Sequence, residues 1–473
     1  MKSLNAVSRQ CNSRSAKAFN TASGFSTRAR WRRLCTTILC LPLSLAINST
    51  SFADNPSSQA SSSGPGYFLH LSDVHLDTYS DTTTYGGDTG RALWADTQAK
   101  LGQVLMASPK PEFIVYTGDL PAHYHCPDNR CYLPPGAPRT DHNTNIATIL
   151  NNMRSVADAA GVPLFYSPGN NDSLGGDYFS FTTDEGKPKT PIQLSPSQNN
   201  PYPALNTAAS CGSAPCIVSN AHPQFGYYSV RPVAGLRIVA LNSIILGHTY
   251  HSRDGTSQTE AGNQQMDWME SELLSAKNAG EKVWLIMHIP PGLDAYAVNS
   301  ATCPTSPTAS QAMWAHLPRQ TGNQPVVQWL DRFISAVETY QPYISGVLYG
   351  HTHMDEVRRI YGSDNQTITA VALSAPGITP QHYNNPGFKV VSYDTASKEF
   401  LNAVTHYRTL SDKTWSTYDL QSTFGCTTGS TLFDCFKGQS LGNLNTDMDK
   451  VFTVMNGDAG YNTSCGIEVR PGQ

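Results

Sequence analysis

The sequence predicts an α/β fold. Short runs of β-branched and aromatic residues alternate with stretches of helical periodicity along the chain. Five of those apolar runs end in residue types that bind metals. Ligands of α/β sheets gather at the carboxyl ends of strands, so these five ends can meet at one place.

The first 53 residues stand apart. An arginine cluster, Arg28 to Arg33, leads into an apolar run from Leu34 to Ile47, and small residues follow at Ser51 and Ala53. That is the pattern of an export signal, with residues 1–27 as a polar extension, and the run is too short to span a bilayer. Residues 54–66, DNPSSQASSSGPG, read as a linker. Strands are predicted at 67–71, 113–117, 163–167, 226–230, 236–242, 282–287, 343–349, 367–373 and 388–393. Helices are predicted at 144–160, 264–279 and 325–340; in the first, Ile146, Ile149, Leu150, Met153, Val156 and Ala160 share one face. Two segments rich in Pro, Ser, Asn and Thr, 173–225 and 291–324, are long loops of the kind that carry function. Weak patterning and three cysteines mark 405–473 as a small C-terminal region beyond a main domain at 67–404.

Eight of the 32 basic residues and none of the 36 acidic ones precede residue 54, which leaves a formal charge of −12 beyond it. Such an acidic chain argues against wholesale nucleic-acid binding, and no nucleic-acid partner is expected. No later apolar stretch is long enough to cross a membrane, so a secreted or periplasmic location is expected. Of 11 cysteines, eight follow residue 54, an even count that suggests disulfides in an exported protein. Spacing suggests the pairs 126/131, 211/216 and 426/435, leaving Cys303 with Cys465. None of the short pairs is followed by His or Cys at zinc-ligand spacing.

The strand ends carry the chemistry. Asp73 and His75 follow 67–71, Asp119 and His123 follow 113–117, and Asn170 follows 163–167. His288 closes 282–287, and His351 and His353 follow 343–349. Asp73/His75 and His351/His353 are each spaced i, i+2, which on extended chain puts both side chains on one side. Mixed imidazole and oxygen donors suit Zn²⁺, Mn²⁺ or Fe²⁺ better than Ca²⁺ or Mg²⁺. Seven donors are too many for one tetrahedral ion and enough for two if a carboxylate bridges. Two ions roughly 3.5–4 Å apart are a device for cleaving phosphoesters.

The ordered set D-x-H, G-D, G-N, H and G-H-x-H resembles the calcineurin-like metallophosphoesterase superfamily, over about Tyr67 to Asp394. SDVHLDTY (72–79), GDLPAH (118–123) and SAPGITPQHYNNPGFKVVSYD (374–394) resemble its acid sphingomyelinase group. The resemblance implies a four-layer α/β/β/α sandwich, with 67–404 as the catalytic domain. It implies that Asp73, His75, Asp119 and His353 hold one ion, and that Asp119 bridges to a second held by Asn170, His288 and His351. Zinc is the first expectation for both, with manganese or iron as alternatives. A bridging hydroxide would attack phosphorus in line, and His123 would serve the leaving oxygen. Purple acid phosphatases share the superfamily but have Gly where this chain has His75 and Tyr where it has Ala122, so an iron–tyrosinate site is disfavoured.

One position departs from the pattern. Most of the superfamily has His where this chain has Asn171. An Asn amide donates a hydrogen bond but transfers no proton at neutral pH. The G-N-N-D form resembles the vacuolar endopolyphosphatases, so activity need not be lost. Asn171 stays a catalytic candidate, and the proton-donor role moves to His123. The role of Asp172 stays open, with orientation of a neighbouring histidine as one reading.

Acid sphingomyelinase proper carries a saposin-like module before its catalytic domain, and here the linker precedes the first strand. The expected substrate is therefore a small soluble phosphoester or phosphoanhydride, met by a phosphodiesterase of the sphingomyelinase-like kind. The loops at 248–254 and 382–385 are expected to line its cleft, with His382, Tyr383 and Asn385 in contact. Alternatives are a phosphomonoesterase, nucleotidase or polyphosphatase, and a binding protein that keeps the fold without catalysis. The complete set of seven donors argues against the last.

Overall fold

The computed structural model describes residues 64–123, 142–173, 177–181, 217–219, 222, 224–252, 255–298, 302–316, 328–452 and 461–473. The predicted export signal, most of the linker and the cysteine pairs 126/131 and 211/216 lie outside the described residues.

In chain order the elements are β1 (Gly66–Leu71), β2 (Leu76–Asp77), β3 (Thr89–Gly90), α1 (Arg91–Met106), β4 (Phe113–Tyr116), α2 (His142–Ala160), β5 (Leu164–Tyr166), β6 (Ile217–Ser219), β7 (Tyr228–Val230) and β8 (Leu236–Ala240). There follow α3 (Gln258–Ala279), β9 (Lys282–Ile286), α4 (Trp329–Thr339), β10 (Ile344–Tyr349), β11 (Val357–Tyr361), β12 (Ile368–Ser374), β13 (Gly387–Tyr393), β14 (Phe400–Arg408) and β15 (Trp415–Asp419). The chain closes with α5 (Leu420–Thr423), α6 (Leu432–Gly438), α7 (Leu441–Phe452), α8 (Thr463–Gly466) and β16 (Glu468–Val469).

Two sheets form the middle of the structure. The first has strand order β15-β14-β13-β1-β4-β5 and the second β16-β11-β12-β10-β9-β8-β7-β6. Within them β1, β4 and β5 run parallel, as do β8, β9, β10 and β12. Between the sheets, Phe68 meets Trp284 at 4.7 Å between ring centroids, and Trp284 meets Tyr393 at 5.2 Å and Phe400 at 4.9 Å. The one polar atom of that indole is satisfied by donation to the carbonyl of Lys398 at 2.8 Å. Full burial of each such side chain contributes about 1.5–3 kcal/mol. On the outer face of the first sheet, α1 and α2 bury Leu101, Leu105, Ile149 and Met153 against Leu69 and Ile114. On the second, α3 and α4 bury Met269, Leu273, Phe333 and Val337 against Val283, Leu285 and Val347. The result is a four-layer α/β/β/α sandwich.

All nine predicted strands and three predicted helices have counterparts. The helix expected at 325–340 begins at Trp329 among the described residues. The boundary expected between residues 404 and 405 falls inside β14, which pairs with β13 along its length. β15 extends the same sheet, and β16 adds a strand beside β11. The C-terminal stretch is therefore built into both sheets rather than appended to them. Its weak pattern has a physical cause: β14 mixes buried and half-buried residues, so it lacks the continuous apolar run of an internal strand. Cys303–Cys465 and Cys426–Cys435 are bonded, the two expected pairs that lie within the described residues.

Candidate metal centre

Five parallel strands, β1, β4 and β5 of one sheet and β9 and β10 of the other, deliver their C-terminal ends to one edge of the sandwich. Asp73 lies at the centre of the first group. Its two carboxylate oxygens accept the backbone N–H of His351 at 3.1 and 3.0 Å, which ties the end of β1 to the end of β10. Asp73 Oδ1 stands 3.8 Å from His75 Nε2, 3.4 Å from His353 Nε2 and 4.0 Å from His288 Nε2. Asp119 lies between two imidazoles: its Oδ2 is 3.3 Å from His75 Nε2 and 3.2 Å from His288 Nε2. Asn170 Oδ1 is 3.0 Å from the same nitrogen of His288. Donor atoms of Asp73, His75 and Asp119 lie within 4.8 Å of one another, as do those of Asp119, His288 and His351.

The backbone reaches this arrangement in a way that differs from the expected extended chain. Asp73, His75, Asp119, His351 and His353 have φ of 50°, 44°, 60°, 72° and 61°. All five are in the left-handed region that non-glycine residues seldom occupy. The i, i+2 pairs therefore come together through left-handed turns after the strands, not through strand alternation. Such conformations cost energy and cluster at functional sites. Close backbone approach is needed as well. A Cβ on Gly169 would lie 2.1 Å from Asp119 N and 2.2 Å from its Oδ1, and one on Gly350 would lie 1.9 Å from Ser72 Oγ.

The donor set fits cations. His75 Nδ1 donates to the carbonyl of Pro121 at 3.0 Å, and His288 Nδ1 to that of Thr117 at 2.6 Å. Each neutral ring then points the lone pair of Nε2 at carboxylate or amide oxygens. Acceptor faces acceptor, a contact that only a proton or a metal ion makes favourable. His75 Nε2 is fully buried and, among the described residues, has no aligned hydrogen-bond partner. With no ion bound, burial pushes both rings down, but the charge of Asp119 outweighs it and raises His75 to about 10 and His288 to about 9. Asp119 is held well below the usual carboxylate range, because the charges of His288 and His75 overcome its burial. His351 and His353 are pushed well below the usual imidazole value by burial and by neighbouring histidines. Those two are neutral nitrogen donors already.

Around this centre stand residues of several kinds. His123 stacks on the His75 ring at 3.6 Å between centroids. Its Nδ1 and backbone N–H meet the Asp88 carboxylate at 2.7 and 2.8 Å, so Nε2 is the nitrogen left to meet a substrate. Burial alone would raise the Asp88 carboxyl, and the hydrogen bond and charge of His123 bring it below its ordinary value. Asn171 is buried beside the Asp119 carboxylate. Its backbone N–H and side-chain amide donate to Asp119 at 2.8 and 3.0 Å. Asp172 braces backbone rather than a histidine: it accepts from the N–H of Asp119, Leu120 and Gly169 at 3.1, 2.6 and 2.7 Å, and from the Tyr166 hydroxyl.

His382 packs beside the centre, 4.7 Å from the ring of His353 and 4.4 Å from that of Tyr296. Tyr383 is half exposed with φ of 62°. Asn385 is buried and accepts from the Tyr85 hydroxyl. Two residues near the donors carried no signal in the sequence. Asp88 sits among polar loop residues, and Asp177 accepts from Asn170 Nδ2 at 2.9 Å. Neither lies in a spacing that marks it.

Residues 66–355 match the family described as calcineurin-like phosphoesterase, and the chain belongs to that family of phosphoric ester hydrolases. The family implies a two-metal centre. Among its relatives, sphingomyelinase phosphodiesterase D of Dictyostelium discoideum is 28% identical over 341 residues, 71% of this chain and 64% of that one. Acid sphingomyelinase-like phosphodiesterase 3b of Homo sapiens is 24% identical over 381 residues, 73% of this chain and 72% of its own. Cyclic GMP-AMP phosphodiesterase SMPDL3A of Homo sapiens is 24% identical over 382 residues, with 73% and 71% covered.

Proposed function

We propose that the chain is a secreted, zinc-dependent phosphodiesterase of the sphingomyelinase-like kind. Asp73, His75, Asp119 and His353 would hold one ion, and Asp119, Asn170, His288 and His351 the other, with manganese or iron as alternatives. Bound ions supply Lewis acidity toward phosphoryl oxygens and lower the pKa of water. The observation that carries this reading is the pair of imidazoles, His75 and His288, aimed at one carboxylate oxygen of Asp119.

The chain's own groups do the rest. Asp88 engages His123 through Nδ1 and the backbone N–H, which leaves Nε2 as the nitrogen that would give a proton to the leaving oxygen. Asn171 fixes the orientation of Asp119 and leaves acid catalysis to His123. His382, against the His353 ring, and the following Tyr383 would meet the rest of a diester. The arginine-led apolar run and the bonded cysteines support export.

Purified protein tests the proposal through metal content and through turnover of bis-p-nitrophenyl phosphate against p-nitrophenyl phosphate. We expect two zinc equivalents and faster turnover of the diester. Sphingomyelin and cyclic GMP-AMP belong in the substrate panel because the relatives' names carry them. Faster monoester turnover would favour a phosphomonoesterase, nucleotidase or polyphosphatase. Absence of both metal and turnover in any divalent ion would leave a binding protein.

A further inference from the structure

We propose that Asp177 sets the orientation of the Asn170 carboxamide and so decides whether oxygen or nitrogen faces the metal centre. The inference rests on the two-metal reading and concerns a positioning residue. A carboxamide fits its site in two nearly isosteric ways, related by exchange of O and N. His288 Nδ1 donates to Thr117, and its Nε2 lies 3.0 Å from Asn170 Oδ1. This contact does not choose between the two orientations, because an imidazole nitrogen can donate or accept, and in the turned-over form a cation would meet an NH₂ group. Asp177 opposes the turn. As a carboxylate it only accepts, and its Oδ1 takes the Asn170 Nδ2 at 2.9 Å on the outer side.

The position of Asp177 is itself fixed by backbone. The N–H of Tyr178, the next residue, donates to the Asn170 carbonyl at 2.8 Å, and the N–H of His251 donates to the Tyr178 carbonyl at 2.8 Å. Asp177 is not part of the apolar core, so substitutions there leave the core packing untouched.

The test uses the metal-free full chain and Zn²⁺ in competition with a chromophoric chelator. Asp177→Asn keeps the shape but offers both a donor and an acceptor, so either orientation of Asn170 is satisfied. We expect it to weaken uptake of one of the two zinc equivalents ~10–100-fold, the usual effect of removing such a partner, with an unchanged thermal melt of the metal-free protein. Exchanging the two residues, Asn170→Asp with Asp177→Asn, restores an oxygen toward the ion and the hydrogen bond behind it, and should recover the lost equivalent. Asp177→Asn binding both equivalents like wild type would overturn the inference, as would failure of the exchange to restore binding. Wild-type protein that takes up no zinc would overturn the site reading and this inference with it, whereas two equivalents in wild type and in Asp177→Asn alike would overturn only this inference.

Discussion

Loading the centre with metal at pH 7 should expel two protons. In the metal-free protein burial disfavours the charged forms of His75 and His288, yet Asp119 raises them to about 10 and about 9, so both carry a proton at neutral pH. A nitrogen that binds a metal must give that proton up. His351 and His353 are already neutral and Asp119 already ionised, so they release none. Removing the two protons at pH 7 opposes binding by roughly 7 kcal/mol, at about 1.4 kcal/mol per pH unit for each ring. The apparent affinity for the pair of ions should therefore rise about 100-fold per pH unit between pH 7 and 9. Stability of the metal-free chain runs the other way. Both folded-state values lie above the 6.5 of an ordinary imidazole, so the stability they add is fully present below pH 6.5 and is lost as pH rises through 9 and 10. Calorimetric titration of the metal-free protein with Zn²⁺, in buffers of different ionisation enthalpy, reads the proton count as a slope. Urea midpoints at pH 6.5, 8 and 10 read the stability. A slope near zero, or an affinity flat from pH 7 to 9, would refute the reasoning.

Three further outcomes follow from the same geometry. Asp119→Ala should strip both ions and abolish turnover, because its carboxylate faces the imidazoles of both sets; retention of two equivalents in metal analysis would contradict a bridging role. His123→Ala should slow esters with alkoxide leaving groups by ~10²–10⁴ and p-nitrophenyl esters far less, with Asp88→Asn following in the same order but more weakly; equal slowing of both substrate types would remove His123 from the leaving-group role. Gly169→Ala should lower stability by about 1–3 kcal/mol in urea titration, through a Cβ forced against Asp119, and should lower zinc content with it; an unchanged urea midpoint would show that the loop can yield.

Much of the sandwich was legible because its parallel strands are buried on both faces and read as continuous apolar runs, as in FIVY of β4 and KVWLI of β9. The elements that escaped notice hide their pattern for physical reasons. α1 buries Leu93, Thr97, Leu101 and Leu105 on one stripe, and the threonine breaks the apolar reading while its hydroxyl bonds back to the Leu93 carbonyl at 2.8 Å. β11 is buried throughout but carries Arg358 and Arg359, which read as surface residues until Glu356 and Glu468 appear as their partners. At the site, donor types at strand ends could be read directly. The partners that orient them, Asp88 and Asp177, come from loops whose approach only the folded chain reveals. Asn171 and Asn385 show that the sequence names polar residues of the motifs but not their partners, Asp119 and Tyr85.

The metal-free centre is an unfavourable arrangement held by its surroundings. Two carboxylates and four imidazoles share one edge, and five of these six groups sit on left-handed backbone that costs of order 1–3 kcal/mol each. The contacts that maintain it are specific: Asp172 collects three backbone N–H groups of the Asp119 and Gly169 loops, and Asp73 collects the N–H of His351. None of these contacts relieves the acceptor-against-acceptor meetings at His75 and His288. Only a proton or a cation does, and two protons there are lost as pH rises. A fold built merely to bind an anion would gain by placing permanent donors such as backbone N–H groups or arginines at this edge, whereas here imidazoles and carboxylates face inward. That polarity is why the donor chemistry, more than the resemblance of motifs, points to bound cations as the working state.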